Sequence, residues 1–139
     1  MYTKVLVAVD GSVRAEAILP LIGDIARPLG LNVVLLRVNE PDSLPAVGMI
    51  ANLYLAGLAS DLTARGIRVV TLVREGTPTD EILAAARDSH ADLIAMTTHG
   101  RTGPSRLLFG SVAEGVLRQS DVPVVLMKHT ELEGRQSCA

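Results

Sequence analysis

Residues 4–12 read Lys4-Val5-Leu6-Val7-Ala8-Val9-Asp10-Gly11-Ser12, and the architecture can be built outward from them. The apolar residues do not alternate with polar ones, so a strand formed here must be covered on both faces. That is the pattern of a parallel sheet packed between helices. An acid, a glycine and a hydroxyl follow at once, which is turn composition.

Further runs share this character: Leu31 to Val38, Ile67 to Val73, Asp92 to Thr97 and Val122 to Lys128. The stretches between them place apolar residues every three or four positions. Ala15, Ile18, Leu19, Ile22, Ala26 and Leu29 mark one helical face, and Val47, Ile50, Tyr54, Leu58 and Leu62 mark another. Thr77-Pro78-Thr79-Asp80 starts a third helix, with Thr77 as cap and Pro78 preset for the first helical position. Ser111 starts a fourth, where Ser111-Val112-Ala113-Glu114 reads as a capping box. Pro20 interrupts the first helix and predicts a bend or break. Gly30 and Gly66 close helices by supplying a left-handed residue. Met49 and Met96 read as core, and Arg65, Arg68, Glu75 and Arg87 as a solvated shell.

Strand and helix in alternation imply right-handed crossovers and an open five-stranded parallel α/β sheet, order 3-2-1-4-5, with helices on both faces. One domain is expected over residues 1–128, followed by a loose polar tail at 129–139.

The chain has 139 residues, enough for one sizeable core. That core is aliphatic: 48% of residues are hydrophobic but only 2% aromatic, with no Trp and one Phe. A net charge of −2 argues against a broad basic surface, so nucleic acid is not an expected partner. Cys138, the single cysteine, has no internal partner. No charged-then-apolar leader opens the sequence, and the apolar runs are of strand length, so no membrane span and a cytoplasmic location are expected.

In such sheets ligands bind beyond the carboxyl ends of the strands, where the winding reverses between strands 1 and 4. The loops there are Asp10-Gly11-Ser12 and Thr98-His99-Gly100-Arg101-Thr102-Gly103-Pro104-Ser105-Arg106. Gly100, Gly103 and Gly110 precede the helix at Ser111. Glycines let a phosphate approach the backbone, and the helix start adds positive potential. A polyphosphate would suit this loop, although Gly, Ser and Thr are also ordinary loop composition. The chain has no G-x-G-x-x-G after strand 1, no Walker P-loop and no G-x-S-x-G elbow. A receiver-type aspartate is missing too, since Val73-Arg74-Glu75 ends strand 3.

Several motifs together resemble the universal stress proteins. They are Val7-Ala8-Val9-Asp10-Gly11-Ser12, Gly76-Thr77-Pro78, Ala91-Asp92-Leu93-Ile94, Thr98-His99-Gly100-Arg101-Thr102-Gly103, Leu108-Phe109-Gly110-Ser111-Val112 and Val122-Pro123-Val124-Val125-Leu126-Met127-Lys128. The resemblance spans residues 2–128 and implies an adenine nucleotide alpha hydrolase-like fold. ATP-binding members carry G-x2-G-x9-G-[ST] after strand 4. Gly100, Gly110 and Ser111 match it, while Thr97 replaces the first glycine and brings a branched β-carbon.

The resemblance implies ATP with magnesium as cofactor and little or no catalysis. It places Asp10 near the ribose or the metal, Val38 against adenine, and Gly100, Arg101, Gly110, Ser111 and Val112 around the phosphates. Gly11, Ser12, Met96, Thr97 and Gly103 complete the candidate cofactor-binding set, with Asp10 also the candidate metal ligand. Plainer readings stand beside these. Asp10 with Ser12 could simply cap the first helix, Arg101 and Arg106 could be surface charges, and His99 could be a packing residue. His90 and His129 have no metal-ligand partner at suitable spacing and read as solvated.

Two alternatives to a nucleotide-binding regulator are a nucleotide-free interaction module of the same fold, for which Thr97 argues, and a slow ATP hydrolase. A symmetric homodimer through the apolar edge of strand 5 is expected.

Overall fold

The computed structural model describes residues 2–99 and 110–129, the side chains of His99 and His129 excepted. In chain order come β1 (Lys4–Ala8), a 3₁₀ turn (Ala15–Ile18), α1 (Leu19–Leu29), β2 (Asn32–Asn39), α2 (Pro45–Ala64), β3 (Val69–Glu75), α3 (Pro78–Asp88), β4 (Leu93–His99), α4 (Gly110–Gln119) and β5 (Val124–His129). All strands are parallel, in the order β3-β2-β1-β4-β5. Val5 lies opposite Val33 on one side and Leu93 on the other, so β1 is the middle of the sheet. The expected fold class and strand order are those observed.

Alternate residues of the central strands feed two cores. Val5, Val7, Val33, Leu35 and Ala95 meet Ile18, Ile22, Ala26, Leu55 and Leu62 on one face. On the other, Leu6, Val34, Leu36, Ile94 and Met96 meet Ile82, Leu83, Ala86, Ala113 and Val116. Each fully buried Leu, Ile or Val contributes about 1.5–3 kcal/mol of transfer free energy. That is why non-alternating strands are needed at the centre.

The start of β1 is fixed to the start of β4 by one side chain. Asp92 accepts hydrogen bonds from the Thr3 amide (2.9 Å), the Thr3 hydroxyl (3.1 Å) and the Lys4 amide (3.1 Å). Burial raises its pKa, but these bonds outweigh that and hold it below the ordinary aspartate value.

Pro20 acts as expected. The helical path breaks into a 3₁₀ turn ending at Ile18, and Pro20 falls in the first turn of α1, where its missing N–H is no loss. Gly30 (φ 67°) and Gly66 (φ 84°) are left-handed helix closures.

Other expectations are corrected. Leu29 is exposed, because it sits beside the Gly30 closure rather than over the sheet. Thr77 occupies the cap position of α3 but its hydroxyl makes no capping bond. α2 buries Ala51, Leu55 and Leu62, leaving Ile50 and Met49 exposed, so Met49 is not core. Residues 43–60 hold no charge, and a helix apolar on every side gives periodicity nothing with which to choose a face. The apolar runs are also not all of strand length: α2, with 20 residues, is long and apolar enough to cross a membrane by length and composition. Here one side of it packs on β2 and β3.

Candidate functional site

α1 and α4 pack on opposite faces of the sheet, and a cavity of about 400 Å³ opens at the carboxyl ends of β1 and β4. Leu36 and Val38, two apart on β2 and therefore on one face, form a wall with Ala8. Ile82 and Pro78 of α3, Met96 of β4, and Val112 and Ala113 of α4 supply further apolar surface. Asp10, Thr97, Thr98 and Ser111 bring polar atoms, and Val9, Ala15 and Gly110 complete the described lining.

The Asp10 turn is held by local bonds. The Ser12 amide donates to Asp10 Oδ1 at 2.9 Å, and the Ala15 amide donates to Ser12 Oγ at 3.0 Å, which starts the 3₁₀ turn. Burial pushes the Asp10 carboxyl up. The Ser12 bonds, aided by the Arg14 charge, outweigh it and hold the group below the ordinary aspartate value.

Gly11 takes φ +91°, and an added Cβ would meet Arg37 Nη1 at 3.0 Å. Only glycine adopts that backbone readily, so the turn and the guanidinium behind it fit each other. Arg37 in turn lies over the Tyr54 ring, 5.3 Å from its centroid, and the Tyr54 hydroxyl donates to Glu16 Oε2 at 2.7 Å. Burial first, then Glu16, raises the Tyr54 pKa well above the ordinary tyrosine value.

α4 begins at Gly110 (φ +72°), and Ser111 and Val112 follow in its first turn beside the cavity. The first amides of a helix have no intrahelical acceptor, and the aligned peptide dipoles make this end positive. An anion is the natural occupant of such an end. The side chain of Thr97 donates to the Ala15 carbonyl at 3.1 Å, so its hydroxyl is committed to the 3₁₀ turn.

The structure thus brings Asp10, Val38, Met96, Thr97, Gly110, Ser111 and Val112 to one cavity. Gly11 and Ser12 shape the turn beside it and are not lining residues. Gly100, Arg101 and Gly103, with the side chain of His99, lie outside the described residues. Sequence reasoning missed Leu36, Pro78, Ile82 and Thr98. Leu36 was signalled by its spacing from Val38, and Ile82 by its place one turn after Pro78. Arg37 and Tyr54, which back the Asp10 turn, gave no signal beyond a polar residue inside an apolar strand.

Fold and cavity together define a doubly wound α/β protein with a cleft at the switch point. The universal stress protein family model matches residues 1–128, and the chain belongs to that family. It is 33% identical to the universal stress protein MJ0531 of Methanocaldococcus jannaschii, over 96% of this chain and 86% of that one. The solved structure of the protein MJ0577 superposes with a TM-score of 0.77 at 28% identity, covering 93% of this chain and 97% of that one. A universal stress protein from Archaeoglobus fulgidus, solved in complex with dAMP, gives 0.73 at 26% identity, covering 91% and 98%.

Proposed function

We propose that this chain binds an adenine nucleotide in the switch-point cavity, specifically ATP accompanied by magnesium, and acts as a nucleotide-responsive stress regulator with little or no catalysis. One observation carries the reading: a single cavity is lined both by the apolar side chains of Val38 and Ile82 and by the start of α4 at Gly110-Ser111. A base fits an apolar slot and phosphates fit a helix start, and about 400 Å³ lies within the range of small-molecule sites. The relative solved with dAMP supports the base and the first phosphate.

Gly100, Arg101 and Gly103 join Gly110 and Ser111 around the remaining phosphates in this reading. Asp10, ionised and facing the cavity, suits a hard cation. Magnesium is commonly held by one or two carboxylates plus the phosphates themselves, so a single acid is a fitting donor. Bound magnesium would neutralise phosphate charge. Asp10 would orient it, and the apolar walls would exclude water from the base.

Titration calorimetry with ATP and magnesium at millimolar ligand tests the proposal, and the absence of any heat would refute it. Gly100→Val should abolish binding while leaving the thermal midpoint in place, because a side chain at that point blocks a phosphate.

The second reading is an interaction module of the same fold with no nucleotide, favoured by Thr97 in the place of a motif glycine. Mass spectrometry of the supernatant from denatured protein separates the two, since only a binder carries nucleotide through purification. Edge strand β5 supports a homodimer: Val124, Val125, Leu126 and Met127 are only half-buried, and among the described residues one side of the strand has no neighbour in the sheet. Light scattering that reports a monomer at micromolar concentration would count against it.

A further inference from the structure

Opposite the buried line of α2 lies a stripe made of Ala46, Met49, Ile50, Leu53, Ala56, Gly57 and Ser60. At 100° per residue all seven fall within about 60° of Leu53. Every one is exposed, with Met49 at 68%, Ile50 at 61% and Leu53 at 74%. The stripe is about 21 Å long at a rise of 1.5 Å per residue. An apolar surface of this kind on a helix marks an interaction site.

The order of sizes along the stripe identifies the occupant. About Leu53 the stripe is symmetric in position and complementary in bulk: Met49 mirrors Gly57, Ile50 mirrors Ala56, and Ala46 mirrors Ser60. We infer that α2 pairs antiparallel with α2 of a second copy of this chain, across a two-fold axis through Leu53. Each large residue of one copy then enters the space left by a small residue of the other, and Leu53 meets its own counterpart.

The surroundings agree. An added Cβ at Gly57 would meet nothing within 4 Å, so the hole is open. No charge lies between Asp42 and Asp61. The pairing sets Asp61 near Pro45 and brings no like charges together. An isologous contact is the form that closed symmetric dimers take, and large-into-small packing is how helices approach closely. The inference is independent of nucleotide binding and uses a surface away from the β5 edge.

The full-length protein tests it. In sedimentation, Leu53→Glu places two carboxylates on the axis and should halve the particle mass relative to wild type, with the far-UV circular dichroism of the wild type retained and a thermal midpoint that no longer rises with protein concentration. In a Cys138→Ser background, Leu53→Cys should form a disulfide-linked dimer on oxidation about tenfold faster than Ser60→Cys, whose counterpart is Ala46 and not itself. Equal cross-linking rates, or an unchanged mass for Leu53→Glu, would overturn the pairing. Flotation with neutral phosphatidylcholine vesicles that is lost in Leu53→Glu at unchanged mass would overturn it in favour of a bilayer.

Discussion

The hydroxyl of Thr97 donates to the carbonyl of Ala15 at 3.1 Å, tying β4 to the 3₁₀ turn that follows the Asp10 loop. The residue that departs from the family's glycine pattern therefore braces one wall of the cleft. Thr97→Val keeps the shape but removes that hydrogen bond, and should lower stability by about 1 kcal/mol in chemical denaturation. Under the nucleotide reading, Thr97→Gly should change ATP affinity by less than about threefold, because the γ oxygen is already engaged elsewhere. A tenfold gain would mean that Thr97 obstructs the ligand.

Gly11→Ala is expected to destabilise the protein by about 1–3 kcal/mol, the usual range for a side chain forced into a left-handed backbone. Its φ of +91° and the Arg37 guanidinium at 3.0 Å both act against the new methyl group. Circular-dichroism melts would show the loss. A Gly11→Ala protein as stable as wild type would show that the turn can adopt another conformation.

Asp92 sets an acid limit. Its folded pKa is depressed, so its contribution is complete above the unfolded value near 3.8 and is lost as pH falls through the folded one. Asp92→Asn should cost about 1 kcal/mol at neutral pH, a low figure for charged acceptors because the group is partly open to water. The difference from wild type should shrink below about pH 4. Denaturation midpoints measured at pH 7 and pH 3 check both statements.

Tyr54 sets the alkaline counterpart. Its pKa is raised by burial and by Glu16, so the stability it contributes is complete below pH 10 and is lost as pH rises through the folded value. In a Tyr2→Phe background Tyr54 is the one remaining tyrosine. Its phenolate absorbance should appear above pH 10 and together with unfolding. An ordinary titration in the folded state would show that the bond to Glu16 is not kept in solution.

The fold was legible because its central strands are apolar on both faces. Val5 to Val9 and Leu31 to Leu36 admit no half-exposed sheet, and turn residues separate the elements. Half of the site was legible for a similar reason: Asp10, Gly110 and Ser111 are small or polar residues where strands end and a helix starts. The opposite wall was not. Leu36 and Ile82 look like any other core residues, and only the three-dimensional path of α3 across the sheet brings Ile82 to the cavity that Val38 lines. The face of α2 was legible at Tyr54, Leu58 and Leu62 but not at Ile50, because residues 43–60 carry no charge to mark which side meets water. The bracing of Gly11 by Arg37, and of Arg37 by Tyr54, joins residues that no local pattern links.

The central place of β1 bears on how the molecule is made. A chain leaving the ribosome offers Val5 its neighbour Val33 after 28 residues, but Leu93 only after 88. Closing the longer loop costs about 1 kcal/mol more in chain entropy, and it must await the synthesis of β4. The two strands that frame the cleft are therefore joined late, after β1, β2 and β3 have had time to assemble. A newborn chain can form the cleft only once β4 and α4 have both been made, so the cavity is among the last parts of the fold to be assembled.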